Sequence, residues 1–319
     1  MNLVFIGASR FGLRCLDLAC RVPGCEVAGV VTAPQTFPIS YRPEGVNNVL
    51  YADVATFAAD RGVPSRTLER SMSEPGLLDA VSAWRPDAFL VAGWYHMVPK
   101  SWRDLAPAYG LHASLLPDYS GGAPLVWAII NGETQTGITL FQMDDGVDSG
   151  PIVGQAKEPI YADDTIATLY ARIEQRGLDL LADALPRLAD GSATVQPQPA
   201  EGRRVMPQRS PEDGLIVWST DSRSLERFVR AQTRPYPGAF SMLDGARLTI
   251  WAAHSAARDN GGLPEGSLVA HDGALAVVCS DGVLVLDEID IDGRVLAGRD
   301  LASSLRVGDR LAPTRATSR

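Results

Sequence analysis

The first 32 residues decide the fold; they read MNLVFIGASRFGLRCLDLACRVPGCEVAGVVT. The apolar run at 3–7 predicts a buried strand, the pattern from Phe11 to about Arg21 predicts a helix, and the run 27–32 predicts a second buried strand. A strand, a helix and a strand at this spacing form a βαβ unit, which implies a parallel sheet. We therefore predict an α/β domain with a Rossmann-like parallel sheet.

The glycine-bearing turn at 7–12, Gly-Ala-Ser-Arg-Phe-Gly, does not predict a nicotinamide site. It lacks the full G-x-G-x-x-G spacing, and no acidic residue ends the second strand. Further along, helices are predicted at 52–62, 77–84 and 166–188, and a buried strand at 88–93.

Residues 34–50 are rich in proline, glycine and asparagine and are predicted to form a long loop. Loops of this length inside a compact domain are often functional. This one either borders the binding site of an acceptor substrate or is an ordinary surface loop. Its polar candidates for such a site are Tyr41, Arg42, Asn47 and Asn48.

Composition restricts the class of protein. The chain has 319 residues, enough for two domains, and a hydrophobic fraction of 45% that is typical of a globular protein with a core. No apolar run reaches the length of a membrane span, and the N-terminus reads as a strand and not as a signal peptide. The four cysteines have no metal-binding spacing. We expect a reduced, cytoplasmic protein with no metal.

The charge balance argues against a nucleic-acid partner. The formal net charge is −9, from 29 basic and 38 acidic residues. A protein that binds nucleic acid through its phosphates needs clustered lysine and arginine. A local basic patch on an acidic protein remains compatible with this total.

The candidate chemistry lies in residues 110–155. His112 precedes the stiff run Leu115-Leu116-Pro117, and a glycine-bounded loop at 144–150 holds three carboxylates after the strand-like run 137–141. A histidine and a carboxylate that the fold brings together form a general acid/base pair, because the carboxylate favours the imidazolium form and orients the ring.

A second domain follows a proline- and glycine-rich stretch. We predict a catalytic domain at 1–190, a linker at 191–212, a C-terminal domain at 213–312 and a tail at 313–319. A helix near 222–233 is followed by short strands at 247–254, 267–271, 274–279 and 282–289. Short strands at this spacing predict a small barrel.

Four ordered motifs resemble the folate-dependent formyltransferases. They are His112-x-Ser-Leu-Leu-Pro, Gly-x-Ala-Pro at 121–124, Asn-Gly-Glu-x-x-Thr-Gly-Ile-Thr at 131–139 and Asp-x-Gly-x-Asp-x-Gly at 144–150. That family includes methionyl-tRNA, UDP-4-amino-4-deoxyarabinose and siderophore hydroxyornithine formyltransferases. The resemblance extends to residues 234–240, so it covers most of the chain.

The resemblance implies a formyltransferase fold in which a parallel-sheet domain precedes an oligonucleotide-binding (OB)-like barrel. It also implies transfer of a formyl group from 10-formyltetrahydrofolate, a co-substrate, without a metal. An aromatic segment after a parallel strand suits a flat ring such as a pterin. The residues predicted to bind the folate are Trp94, Tyr95, His96, Met97, Val98, Asp144, Asp145, Gly146, Val147 and Asp148.

The resemblance also implies catalytic roles. His112 would be the acid/base and oxyanion partner, and Asp148 would favour its charged form and relay the proton. Ser114 would orient the pair or only cap the following turn. Gly110 occupies the position of an asparagine that supplies a second oxyanion donor in the family, and the loss of one such donor costs on the order of 10²–10³ in rate. Another group therefore replaces it, or the enzyme is slow, or the chain is no longer a catalyst.

Three acceptors compete. The acidic total and the absence of basic residues from 117–122 make tRNA the less favoured partner. We predict a small-molecule amine, such as hydroxyornithine or a nucleotide-linked amino sugar, with no membrane partner. Residues 131–133 and the cluster of Arg203, Arg204 and Arg209 could belong to a pocket for a nucleotide-linked sugar, but Gly122 stands where the aminoarabinose enzymes carry an arginine. The two small acceptors are therefore not separated. The alternatives are a methionyl-tRNA formyltransferase and a folate-binding pseudoenzyme. The sequence does not predict the oligomeric state.

Overall fold

The computed structural model describes residues 1–39, 42–199 and 201–312. The strands are β1 (Asn2–Ile6), β2 (Glu26–Thr32), β3 (Thr36–Ile39), β4 (Arg42–Asn47), β5 (Ser65–Thr67), β6 (Ala88–Val91), β7 (Ala108–His112), β8 (Ser120–Gly121), β9 (Gln135–Gln142), β10 (Ile152–Pro159), β11 (Val205–Met206), β12 (Ala239–Leu243), β13 (Ala246–Ala256), β14 (Leu268–His271), β15 (Ala274–Val278), β16 (Val283–Ile291) and β17 (Arg294–Ala297). The helices are α1 (Arg10–Ala19), α2 (Val54–Ala59), α3 (Leu77–Ala83), α4 (Lys100–Arg103), α5 (Pro124–Ile130), α6 (Ile166–Ala189), α7 (Ser222–Arg230) and α8 (Arg299–Ser304), with a 3₁₀ turn at Pro211–Gly214.

The chain divides into two compact units. The first comprises residues 1–124, 135–159 and 171–206. Its main sheet has the strand order β10-β9-β7-β6-β1-β2-β5. The five strands from β7 to β5 are parallel, and β9 and β10 extend the sheet as antiparallel strands.

The predicted βαβ unit forms as expected. β1 is almost wholly buried, as an apolar strand in the middle of a parallel sheet should be. α1 begins after Ser9, whose Oγ accepts a hydrogen bond from the backbone N–H of Gly12 at 3.0 Å. This cap satisfies one of the N–H groups that a helix start leaves without a partner. The turn at 7–12 therefore serves as a helix cap.

One segment differs from its prediction. Most of the loop predicted at 34–50 is a two-stranded hairpin, β3 with β4, which pair antiparallel. Proline and glycine are tolerated in β4 because it pairs on one side only in this two-stranded sheet. Residues 40 and 41 lie outside the described part of the chain, so the candidate Tyr41 does too. The tail predicted at 313–319 also lies outside it.

The second unit comprises residues 125–134, 160–170 and those from 207 onward. Its antiparallel sheet has the order β12-β13-β16-β15-β14, with β17 paired to β16. A core centred on Trp218, Ile250 and Leu284 fills it. The predicted fold class, a parallel-sheet domain followed by a β-rich one, is confirmed. The predicted domain boundaries remain predictions.

Across the described residues, no helix is both long enough and apolar enough to cross a membrane.

Candidate active site

His112 and Asp148 lie together in the first unit. Nδ1 of His112 is 3.4 Å from Oδ2 of Asp148, and both side chains are largely buried, at 11% and 22% exposure. Nε2 of His112 lies 2.8 Å from the carbonyl oxygen of Tyr119. A carbonyl oxygen can only accept a hydrogen bond, so Nε2 carries a proton. Nδ1 is the other ring nitrogen, and it faces the carboxylate.

The backbone around this pair is unusual. Tyr119 and Asp148 both have left-handed conformations, with φ of 54° and 50°. Aspartate adopts this region more readily than most residues, but a bulky tyrosine there is strained. Asp148 is held by a hydrogen bond from the backbone N–H of Gly121 to its Oδ2, at 2.8 Å. Such conformations cluster at functional sites, and the surrounding contacts must maintain them.

Gly121 permits a close approach of two chain segments. A Cβ atom at this position would lie 2.4 Å from the carbonyl oxygen of Met206, and its φ is 92°. β8 pairs with β11 through these residues. Glycine is therefore required here both by its conformation and by the space available.

Ser114 stabilises the turn after His112. Its Oγ donates to the carbonyl oxygen of Asp118 at 2.7 Å, and its own carbonyl oxygen accepts from Oγ1 of Thr139 at 2.6 Å. Thr139 also accepts from the N–H of Leu116 at 3.2 Å. Ser114 therefore contacts the loop that presents Tyr119 and caps its turn.

Gly110 lies within β7, paired with Val91 on one side and Phe141 on the other. A Cβ atom added to it would lie 2.5 Å from Cε of Met143. The terminal methyl of Met143 thus lies where a longer side chain at position 110 would begin. The position of the family's asparagine is packed with an apolar group.

The aromatic segment at 94–98 follows β6 and packs against the β3–β4 hairpin. The ring of Phe37 lies 5.4 Å from that of Tyr95 and 5.3 Å from that of His96. His96 also packs against Trp94, and Nε2 of His96 is buried with no hydrogen-bond partner among the described residues. Burial lowers the pKa of His96, so the ring is neutral near pH 7.

The two ends of the segment differ in exposure. Met97 is 62% exposed, whereas Val98 is buried. Trp94 donates through Nε1 to the sulfur of Met72 at 3.3 Å.

Arg103 connects this segment to the acidic loop. Its Nε donates to the carbonyl oxygen of Val98 at 3.2 Å, and its Nη2 donates to Asp145 at 2.6 Å. The hydrogen bond and charge of Arg103 hold the pKa of Asp145 below its usual range. Asp144 closes the loop by accepting from the N–H of Gly146 and from Oγ of Ser149. The loop also leaves Val147 44% exposed. The two segments predicted to bind folate are thus joined through one arginine.

Residue type and spacing did not point to Arg103, Met143 or Tyr119. Each makes a contact that depends on the fold. The guanidinium of Arg103 joins two segments, and the methyl of Met143 lies where a side chain at position 110 would begin. The backbone carbonyl of Tyr119 contacts His112. Positively charged residues of the linker also reach this region, with Arg204 bound to Asp118 at 2.5 Å. None of these roles follows from residue type and spacing.

In the part of the chain that the structure describes, no group of three or more His, Cys, Asp or Glu residues could hold a metal ion.

Two curated relatives cover nearly the whole chain. The chain is 35% identical to the methionyl-tRNA formyltransferase of Citrifermentans bemidjiense, across 95% of this chain and 93% of that protein. It is 34% identical to the methionyl-tRNA formyltransferase of Geotalea uraniireducens, across 98% of this chain and 96% of that protein.

We predicted a small-molecule acceptor and tRNA as the less favoured partner. These relatives show that this prediction is wrong. The prediction relied on net charge, but charges separated by more than about 8 Å are largely screened at physiological ionic strength. It also relied on the absence of basic residues from 117–122. The fold brings Arg204 to that loop, where it pairs with Asp118 and stacks 4.4 Å from the centre of the Tyr119 ring, so the residue types within 117–122 do not by themselves describe the charges there.

A solved structure has the same fold. The sugar 3N-formyltransferase WlaRD, crystallised with dTDP and 5-N-formyl-THF, matches 92% of this chain and 98% of its own with a TM-score of 0.64. At 15% identity this likeness supports the fold alone.

Two family models match along the chain. The formyl transferase model matches residues 1–185, and the model of the formyl transferase C-terminal domain matches residues 209–306. The predicted resemblance is confirmed: the chain belongs to the formyl transferase family.

Proposed function

We propose that this protein transfers a formyl group from 10-formyltetrahydrofolate to the amino group of methionyl-tRNA. The choice of methionyl-tRNA as acceptor rests on two methionyl-tRNA formyltransferases, at 35% and 34% identity, that match almost the full length of the chain. The placement of His112 beside Asp148 supports the reaction class.

The residues predicted to bind folate fit a flat, polar-edged ring. Met97 and Val147 offer exposed apolar surface, and His96 offers a buried Nε2 without a partner among the described residues. A buried polar atom left without a hydrogen bond is costly, so a ligand that supplies one gains from the contact. When bound, 10-formyltetrahydrofolate would supply the formyl carbon that the amine attacks.

His112 would take the proton that the attacking amine loses and return it to the folate nitrogen, whose bond to the formyl carbon breaks as tetrahydrofolate leaves. Its Nε2–H is held by the carbonyl of Tyr119, which leaves Nδ1 to accept the proton. The carboxylate of Asp148, 3.4 Å away, stabilises the positive ring that results. A placed general base of this kind contributes roughly 10²–10⁴ in rate.

The hairpin at 36–47 is a candidate contact for the acceptor, because it packs against the segment predicted to bind folate. Its base is fixed to the folate segment, because Oη of Tyr95 donates to Oδ1 of Asn48 at 3.1 Å. Asn48 is buried and donates to the carbonyl of Ala8 at 3.0 Å, so it is a structural anchor. Asn47 is exposed and remains a candidate contact to the acceptor, whereas the side chain of Arg42 lies outside the described part of the structure.

The charge distribution is compatible with tRNA. Residues 207–319 contain 13 arginines and 15 acidic residues, so most of the acidic excess lies in residues 1–206. A phosphate backbone responds to the local positive groups that it touches and not to the total charge of the chain.

The test is an acceptor panel. The full-length protein is incubated with 10-formyltetrahydrofolate and methionyl-tRNA, unacylated tRNA, hydroxyornithine or nucleotide-linked amino sugars, and release of tetrahydrofolate is followed. We expect release with methionyl-tRNA, together with formylmethionine on the tRNA. Release with a small amine and none with methionyl-tRNA would contradict the proposal.

A further inference from the structure

We call residues 196–199 and 201–206 the linker segment. It contacts two loops of the catalytic pair, the loop that carries Tyr119 and the loop that carries Asp148. Gln196 forms a bridge with Ile152, with N···O distances of 2.7 and 2.8 Å in the two directions. Val205 and Met206 pair in parallel with Ser120 and Gly121. The linker segment thus adds short strand pairings next to β10 and to β8.

The loop that carries Asp148 is held by two side chains of the linker segment. Nε2 of Gln198 donates to the carbonyl oxygens of Asp148 and Gly150, both at 2.8 Å. Nη2 of Arg203 donates to the carbonyl oxygen of Val147 at 2.7 Å. Asp148 has a left-handed backbone, and such a residue keeps its conformation only when surrounding contacts impose it. Gln198 bonds the backbone at that residue.

The loop that carries Tyr119 is held by Arg204. Its Nε and Nη2 donate to the two carboxylate oxygens of Asp118, at 2.6 and 2.5 Å, and its guanidinium centre lies 4.4 Å from the centre of the Tyr119 ring. The carbonyl oxygen of Arg204 accepts from the N–H of Ser120 at 3.0 Å. Tyr119, between Asp118 and Ser120, supplies the carbonyl that holds Nε2 of His112.

Each partner of the catalytic pair is therefore fixed by backbone that the linker segment binds. His112 is fixed through Tyr119, and Asp148 is fixed through its own carbonyl and through Gly121. The side chain of Arg204 is 49% exposed and that of Asp118 is 33% exposed. An ion pair this accessible adds little to stability. Its effect is therefore expected on the geometry of the His112–Asp148 pair.

We infer that Gln198 and Arg204 are positioning residues for formyl transfer: they hold the His112–Asp148 pair in its reactive geometry without touching the substrate. The inference rests on the proposed function for its kinetic readout. A displacement of a catalytic group by about 1 Å can cost on the order of 10²-fold in rate. We therefore expect Q198A and R204A each to lower kcat about 10- to 100-fold, with KM for both substrates nearly unchanged.

The chain offers matched controls. Gln196 joins the same linker segment through its backbone and has an exposed side chain, so Q196A is the control for Q198A. Arg66 is exposed and its guanidinium bonds only the adjacent carbonyl of Ser65 among the described residues, so R66A is the control for R204A. R204K keeps the charge but loses the two-pronged contact, so it should recover part of the rate at most.

Two readouts separate positioning from a general loss of structure. In the H112A background, R204A should cause no further loss of the single-turnover rate, because its effect passes through His112. The ¹⁵N resonances of the His112 ring should change in Q198A and R204A and stay at their wild-type positions in Q196A and R66A.

The ring resonances do not depend on the acceptor. Failure of the wild-type protein to formylate methionyl-tRNA would therefore overturn the proposed function and leave this test standing. Unchanged ring resonances in both Q198A and R204A would overturn the positioning role. The positioning role would also be overturned if the losses of single-turnover rate in R204A and H112A multiply in the double variant.

Discussion

Oδ2 of Asp148 lies 3.4 Å from Nδ1 of His112 and accepts a hydrogen bond from the backbone N–H of Gly121 at 2.8 Å. One carboxylate oxygen thus faces the His112 ring and is itself fixed by the loop after His112. An amide at position 148 keeps an acceptor for Gly121 but removes the negative charge.

We therefore predict that D148N retains its fold and loses catalysis. Without the carboxylate, the positive ring formed when Nδ1 accepts a proton is not stabilised, and kcat should fall by about 10²–10³. The comparison is D104N, since Asp104 is an exposed surface residue paired with Lys100. Steady-state kinetics on the two variants provide the check; a kcat for D148N within about threefold of wild type would exclude this role for the carboxylate.

His96 should contribute to folate binding through its unpartnered Nε2. H96F keeps a ring against Phe37 and Trp94 but removes both ring nitrogens. Loss of one hydrogen bond corresponds to about 1 kcal/mol, so we expect the Kd for folate to rise several-fold to about tenfold. Fluorescence or calorimetric titration would measure it. H254F, which alters an exposed histidine of the second unit, should leave the Kd unchanged; an equal Kd for H96F would remove His96 from the folate site.

Position 110 offers a gain-of-function test. G110N alone brings a Cβ atom to 2.5 Å from Cε of Met143, so the flexible end of the methionine side chain must move. The double variant G110N/M143A restores the space. If an asparagine donor is what the wild type lacks, kcat should rise in the double variant above that of M143A, by up to about 10²-fold. No increase over M143A would mean that another donor already fills the role.

Acid stability should depend on Glu158. This buried carboxylate accepts from Nε of Arg172 at 2.7 Å and from Nε of Arg176 at 2.8 Å. Burial raises its pKa, but the two guanidinium groups lower it further, so the net pKa lies below the ordinary value. A carboxyl with a lowered folded-state pKa stabilises the fold above its unfolded-state pKa, and that contribution is lost as pH falls through the folded-state value.

We predict that E158Q lowers the free energy of unfolding by about 1–2 kcal/mol at pH 7, a figure reduced because both arginines reach solvent. The difference from wild type should shrink below about pH 4. Urea unfolding of wild type, E158Q and the exposed-residue control E201Q across this pH range would measure it. A difference that is constant with pH would mean that the ion pairs do not cause the effect.

The predictable part of the molecule is the part encoded locally. The strands around 3–7, 27–32 and 88–93 are apolar runs ended by glycine or polar residues, and each lies in the parallel sheet. His112 and Asp148 could be paired in advance only because the order of the motifs resembles a known family. Hydrophobic periodicity alone does not predict which loops lie next to each other in the fold.

The rest depends on contacts between distant residues. Gln198 bonds carbonyls 48 and 50 residues away, and Arg204 binds a carboxylate 86 residues away. The hairpin at 36–47 was missed because its proline and glycine are typical of loops, while an isolated two-stranded pairing tolerates both. The prediction of the acceptor was wrong because the net charge of the whole chain does not describe the charge of a local surface.

The most direct test of the roles of His112 and methionyl-tRNA is single-turnover formylation of methionyl-tRNA by wild-type and H112A protein at equal saturation with 10-formyltetrahydrofolate. Folate binding by H112A is measured in parallel. We predict formylmethionyl-tRNA with the wild type, a loss of at least about 10³-fold in H112A, and nearly equal folate affinity. Formylation by H112A at a rate near that of wild type would contradict the assignment of His112, and no formylation by the wild type would contradict the proposed acceptor.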